Sequence, residues 1–310
     1  MRHLLEISDF SAVGLRSFLA FALERKRVVR ERGPAGLGRP LADRSLAMVF
    51  MKPSLRTRVS FQRAMEQLGG QACYLSAEEV GLGRREPARD VARVLGRMCD
   101  GVMARVFDHA LLIELAEHSP VPVINGLSDL THPCQTLADL LTLAEHVGGA
   151  GQLAGRRVCY LGDPNNVARP LAMACAMLGM RFVLVCPERC DFPAGFAQTL
   201  DALGPGFALE RSSRPLEAVA GADCLYTDTW VSMHHAQEAA AREALFAGYG
   251  LDERVIEAAG GQAVVLHCLP AYRGKEISDG AMEHAQSRVF EQAENRLHAQ
   301  RALLERLMAG

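Results

Sequence analysis

Short apolar runs recur along this chain with room for one helix between each pair, and that alternation constrains the fold more than any other feature. SLAMVF (45–50), QACYL (71–75), GVMARV (101–106) and VPVINGL (121–127) read as buried strands. Between them lie helical patterns, one of which places Phe61, Ala64, Met65 and Leu68 on one face and stops at Gly69-Gly70. After Gly149-Ala150-Gly151 the alternation resumes with RRVCYLGD (156–163), MRFVLVCP (180–187), ADCLYTDTW (222–230) and QAVVLHCLP (262–270). Strands that alternate with helices pair in parallel, and a sheet apolar on both sides needs helices on both faces. The expected fold is therefore α/β, with two domains, each a parallel sheet with helices on both faces. A serine cap at Ser11 ahead of Leu15, Phe18, Leu19 and Ala22 predicts an opening helix, ended by ERGPAGLGRPLADR (31–44). TLADLLTLAEH (136–146) predicts a helix bridging the two series, and a last helix over Asn295 to Met308 could pack on either domain.

Charge and cysteine usage narrow the function classes. With 34 basic against 36 acidic side chains, the net charge of −2 gives no global attraction to nucleic acid or to a membrane surface. An anionic ligand must be gripped by a local arginine cluster. The nine cysteines are odd in number and sit mostly in apolar runs, which fits free thiols in a reducing compartment better than a disulfide framework. The start, MRHLLEISDFS, has neither a signal-peptide apolar region nor an arginine-rich transit pattern. No apolar run approaches the ~20 residues that span a bilayer. A cytoplasmic location is expected.

In open parallel sheets ligands bind beyond the carboxyl ends of the strands, and the polar exceptions in this sequence concentrate there. KPSLRTRVSF (52–61) follows the first run and opens a helix, so Ser54, Arg56, Thr57 and Arg58 surround a helix N-terminus with hydroxyls and guanidiniums. That is an oxyanion-site signature, against the plainer reading of Ser54 as an N-cap on a solvated basic turn. THPCQTLADLL (131–141) offers His132 and Gln135 from a loop entering a helix, although a lone histidine is commonly structural. Arg105, inside GVMARV, must pair with an anion, either a structural one or a ligand. In the second series Asn166 in GDPNN and Asp228 after LYT could hold a carboxylate and an ammonium. The G-x-G-x-x-G glycines of a dinucleotide fold are absent. His267 beside Cys268 invites a Cys/His nucleophile or a metal pair, but neighbours in a strand point to opposite faces, which disfavours both. Cys186 and Cys190 lack partners at zinc-ligand spacing. Arg296, in AENRLHAQ on the terminal helix, reads by itself as an ordinary exposed surface arginine.

Taken in order, Ser54-Leu55-Arg56-Thr57-Arg58, His132-Pro133-Cys134-Gln135, Asp228 with Ser232-Met233, and His267-Cys268-Leu269-Pro270 resemble the aspartate/ornithine carbamoyltransferase family along nearly the whole chain. The last two elements resemble its ornithine branch. The resemblance implies a carbamoyl-phosphate-binding domain over 1–140, onto which a helix at 290–310 packs back, and an ornithine-binding domain over 150–289. It implies that Ser54, Leu55, Arg56 and Thr57 hold the phosphate, that Arg105, His132, Gln135 and Arg296 contact carbamoyl phosphate, and that Cys268 and the Leu269 carbonyl position the reacting groups. Asn166, Asp228, Ser232 and Met233 would bind ornithine, and Arg105, His132 and Cys268 would be catalytic. Carbamoyl transfer from carbamoyl phosphate to L-ornithine, giving citrulline in arginine metabolism, is the implied reaction. It needs no cofactor or metal and takes place in a homotrimer or a multiple of trimers. The alternatives are a carbamoyltransferase for N-acylornithine, putrescine or aspartate, or a non-catalytic anion-binding paralogue. Two departures stand out: Gly81 occupies the place of a glutamine that relatives reach into a neighbouring subunit, with Arg84 or Arg85 as substitutes, and His234-His235 follow Ser-Met where glycine is usual.

Overall fold

The computed structural model describes residues 1–231 and 238–309. The chain forms two compact units, Met1–Leu141 with Glu294–Gly310, and Thr142–Ala293. The boundary near residue 141 falls inside a helix.

In the first unit, β1 (Ser45–Phe50), β2 (Gln71–Ser76), β3 (Gly101–Arg105) and β4 (Val123–Leu127) form a parallel sheet in the order β2-β1-β3-β4. Its principal helices are α1 (Ala12–Arg32), α2 (Leu55–Gln67), α3 (Ala88–Met98), α4 (His109–His118) and the start of α5 (Pro133–Val147). Every residue of β3 is buried, and only the first of β1 is not. Ala47, Val49, Val102 and Ala104 meet Val91 and Ala92 of α3 and Leu112 and Leu115 of α4 in one apolar cluster. β2 departs from the expected buried strand: it lies at the sheet edge and runs exposed to half-buried along its length. Ser11 caps α1 by accepting from the Gly14 N–H, as the serine signal predicts.

In the second unit, β5 (Arg157–Leu161), β6 (Arg181–Val185), β7 (Glu210–Ser212), β8 (Cys224–Thr227) and β9 (Val264–His267) form a parallel sheet in the order β7-β6-β5-β8-β9. Its helices of eight residues or more begin with α6 (Ala168–Leu178), whose residues are nearly all buried, then α7 (Phe196–Leu203) and α8 (Ala239–Phe246). β7 is absent from the sequence reading because its three residues are polar and sit at an edge, where no apolar run is needed. The last helix, α9 (Val289–Met308), begins in this unit, and from Glu294 onward it belongs to the first.

Register decides where chemistry can gather. In the first sheet the strand order turns at β1/β3, and Phe50 pairs with Arg105, so the chain after β1 leaves beside Arg105. In the second sheet the order turns at β5/β8; Leu161 pairs with Thr227, and Thr227 with His267. Three loops therefore leave that sheet at one level. Such turning points of strand order are where open parallel sheets bind ligands.

Candidate active site

The first unit builds its site around the start of α2. Ser54 caps the helix: its hydroxyl oxygen accepts from the Thr57 N–H at 3.4 Å and donates to Thr57 Oγ1 at 3.1 Å. Thr57 is buried, whereas the Leu55 side chain points to solvent, leaving only its backbone at the helix end. Unpaired first-turn N–H groups and the helix dipole make this end attractive to an anion. The Arg296 guanidinium closes the pocket from α9, donating to Thr57 Oγ1 at 3.2 Å and to Gln135 Oε1 at 2.7 Å. Arg296 is 3% exposed, so it is no surface arginine. Arg105, at the end of β3, is buried as well. Arg58 does not join this group: its guanidinium lies 4.1 Å from the Tyr74 ring centroid, because residues two apart on a helix do not share a face.

His132 enters from the loop after β4. Ser128 and Thr131 shape that loop by reciprocal bonds, and Asn125 Nδ2 donates to the carbonyls of Leu5 and Thr131. His132 is buried, and its Nδ1 has no hydrogen-bond partner among the described residues. Burial, and then the charges of Arg296, Arg105 and Arg56, hold its pKa well below the ordinary imidazole range, so it is neutral near pH 7. Cys134, two residues on, donates to the Asn125 carbonyl and is pushed up to about 12 by burial; it is an inert core thiol. Sequence reasoning passed over two groups. Lys52, two residues after β1, is buried, and desolvation together with Arg105 lowers its pKa. Asp139, on α5, is buried behind Gln135. A lysine between a buried strand and a helix start is a readable signal; Asp139, an acidic residue within a helical pattern, carries none.

The second unit gathers its groups on the loops after β5, β8 and β9. Asp228 Oδ2 accepts from Asn165 Nδ2 at 2.8 Å, and Oδ1 accepts from the Thr229 N–H at 2.7 Å and from Cys268 Sγ at 3.0 Å. Asn165 also accepts from the Tyr160 hydroxyl and from the N–H groups of Val167 and Ala168, so it locks the β5 turn onto Asp228. Asn166, the residue named from sequence, is half-buried in the same turn. Tyr160 is held well above its usual pKa by burial and then Asp228, and stays a neutral phenol.

The expectation that His267 and Cys268 diverge does not hold. β9 ends at His267, so Cys268 is released from strand geometry, and ligand-type atoms of Asp228, His267 and Cys268 lie within 4.8 Å of one another. The thiol is directed to Asp228 and not to the imidazole. Both nitrogens of His267 have protein partners: Nδ1 accepts from the Leu269 N–H at 2.9 Å, which leaves Nε2–H to donate to Glu276 Oε1 at 3.3 Å. Leu269 adopts a left-handed backbone, φ 57°, ahead of a cis peptide bond to Pro270. Ser232 and Met233, with His234, lie outside the described residues.

Around Gly81 the structure explains a residue type. It caps the four-residue helix Ala77–Val80 with φ 61°, and a Cβ there would stand 2.7 Å from Arg85 Cβ. Arg85 in turn donates to the Glu79 carbonyl, so its guanidinium is tied to its own loop.

Comparison with known proteins agrees across the whole chain. Residues 2–145 match the carbamoyl-P binding domain of the aspartate/ornithine carbamoyltransferases, and residues 154–307 match their Asp/Orn binding domain. An ornithine carbamoyltransferase of Halorhodospira halophila is 46% identical over 100% of both chains. The anabolic ornithine carbamoyltransferase of Pseudomonas aeruginosa is 46% identical over 99% of this chain and 97% of its own. The solved ornithine carbamoyltransferase of Pyrococcus furiosus superposes with a TM-score of 0.94 at 41% identity, covering 100% of this chain and 97% of that one. A chain matched from end to end in sequence, domain order and fold belongs to the aspartate/ornithine carbamoyltransferase family.

Proposed function

We propose that this protein is an ornithine carbamoyltransferase: it transfers the carbamoyl group of carbamoyl phosphate to the δ-amine of L-ornithine, releasing L-citrulline and phosphate. The observation that carries this reading is the buried group at the start of α2, where Arg296 bridges Thr57 and Gln135 beside a neutral His132. Guanidiniums held in low dielectric suit a small dianion. The names of full-length relatives at 46% identity support ornithine over N-acylornithine, putrescine or aspartate as acceptor, and the anabolic relative supports arginine biosynthesis.

In the proposed mechanism, Ser54, the backbone at Leu55, Arg56 and Thr57 hold the phosphate. The neutral δ-amine attacks the carbamoyl carbon, and Arg105, His132 and the Thr57 hydroxyl stabilise the oxyanion that forms. A neutral imidazole suits this role, since it donates a hydrogen bond without competing with substrate for a proton. The C–O bond then breaks, and phosphate leaves with the proton given up by the amine. Asp228, Asn166, Ser232 and Met233 bind the amino-acid end of ornithine, and Cys268 with the Leu269 carbonyl positions the amine and the carbamoyl NH₂. The thiol donating to Asp228 ties the anchor for the acceptor's α-ammonium to the reacting end.

The reading extends to a homotrimer and to the cytoplasm, which nine free thiols suit. No helix among the described residues is long and apolar enough to cross a membrane. The test is citrulline formation from carbamoyl phosphate with ornithine, against aspartate, putrescine and N-acetylornithine. Turnover with ornithine at the level of a control amine refutes the assignment.

A further inference from the structure

Behind the phosphate pocket lies a carboxylate that the mechanism above does not use. Asp139 is fully buried on α5, four residues after Gln135 and so on the same helix face. Its Oδ1 accepts from Gln135 Nε2 at 2.8 Å, while Gln135 Oε1 accepts from Arg296 Nη1 at 2.7 Å. A carboxylate only accepts and a guanidinium only donates. Flipping the amide would set its NH₂ against the guanidinium and its oxygen against the carboxylate, so the two charges force a single orientation. The oxygen end is the end turned towards Arg296, whose other Nη reaches Thr57 Oγ1 at the start of α2. A carbonyl oxygen has two lone pairs, and Arg296 takes one.

We infer that Asp139 is a positioning residue for substrate choice: by orienting Gln135 it presents an amide oxygen that selects a carbamoyl NH₂ over a group of the same size that cannot donate. The inference rests on the proposed carbamoyl transfer. Carbamoyl phosphate differs from acetyl phosphate by NH₂ in place of CH₃, and only the former satisfies an acceptor fixed in that direction. The buried charge also makes a distinguishing demand. If Asp139 acted merely through its field, removing it would tighten all phosphate ligands alike; if it acts through Gln135, only the carbamoyl end is affected.

The experiment measures calorimetric affinities of carbamoyl phosphate, acetyl phosphate and inorganic phosphate for the wild type, D139N, D139E, Q135M and D139N/Q135M, each with a circular-dichroism melt. In D139N the preference for carbamoyl over acetyl phosphate should fall by about tenfold, the worth of one oriented hydrogen bond, with inorganic phosphate changed less than about threefold. D139E, whose carboxylate like that of Asp139 can only accept from Gln135 Nε2, should retain most of the preference, whereas the amide of D139N can also turn its NH₂ to Gln135 and no longer fixes the direction. Adding D139N to Q135M should cost no further preference, because the group it orients is gone. A preference unchanged in D139N, or losses that add in the double variant, overturns the inference. So does an unchanged preference in Q135M, which leaves Asp139 in place and needs no folded Asp139 variant. Since these are binding measurements, they stand apart from turnover: a wild type that binds carbamoyl phosphate selectively yet forms no citrulline overturns the transfer reaction and not the positioning.

Discussion

Arg296 carries two separable duties, and substituting it pulls them apart. Its fork donates to Gln135 Oε1 and Thr57 Oγ1, and its charge is the second cause, after burial, of the depressed pKa of His132. Hydrogen bonds to a charged group are worth about 1.5–3 kcal/mol each, so losing the fork and its proposed phosphate contact in Arg296→Met should raise the KM for carbamoyl phosphate roughly 100-fold. The same substitution removes one of the three positive charges acting on His132, so its pKa rises. His132 then stays protonated to a higher pH, and the acid limb of kcat/KM moves upward. Arg296→Lys separates the two effects. A lysine restores the charge but not the planar fork, so the acid limb should return towards its wild-type position while KM stays high. The assay is citrulline formation from pH 5 to 8 at saturating ornithine. A carbamoyl phosphate KM within about threefold of wild type in Arg296→Met, or an acid limb displaced downward, would refute the assignment of Arg296 to both tasks.

Three further outcomes are expected. Asp228→Asn replaces the acceptor of Cys268 and Asn165, and should raise the ornithine KM by about tenfold or more while leaving carbamoyl phosphate binding near wild type; equal losses for both substrates in initial-rate measurements contradict the division of labour. His298 is buried and lowered to about 4, so the unfolded chain takes up a proton at pH values where the native one does not. Its contribution is whole above pH 6.5 and shrinks as pH falls towards 4, by up to roughly 3 kcal/mol; thermal melts of His298→Gln should therefore lose less stability than wild type over that window. Leu161→Ala, in the centre of the second sheet, should cost about 2–5 kcal/mol in urea unfolding, and a change below about 1 kcal/mol would mean that the core there is not closely packed.

Most of both sheets was legible because strands buried on both faces must be apolar throughout, and eight apolar runs stand out between helix-length spacers, seven of them largely buried strands and the eighth the edge strand β2. β7 was not, since three polar edge residues carry no such signal. The site divides in the same way. Residues at or beyond strand ends, such as Arg105, His132 and Asp228, could be proposed from position. Asn165 was hidden beside Asn166, because a turn decides which of two neighbouring amides faces the carboxylate and sequence does not encode that direction locally. Asp139 was hidden for a related reason: an acidic residue on a helix reads as solvated until the neighbouring guanidinium is known to be buried as well. The expectation for Cys268 failed on a boundary of one residue, since strand alternation ends with His267.

The cap at Gly81 limits the sequence paths open to this protein. A single change to glutamine would force a side chain onto a left-handed backbone and drive its Cβ into Arg85. Any side chain at 81 therefore requires at least two coordinated changes, one at Gly81 and one that shifts the backbone at residue 85, since the clash is with a Cβ that every residue but glycine carries. The intermediate with only the first would be strained before it could be useful. The loop from Ala77 to Pro87 is thus committed to glycine at 81 by its own backbone. Sequences descending from this one should keep Gly81 for as long as the loop keeps this left-handed backbone.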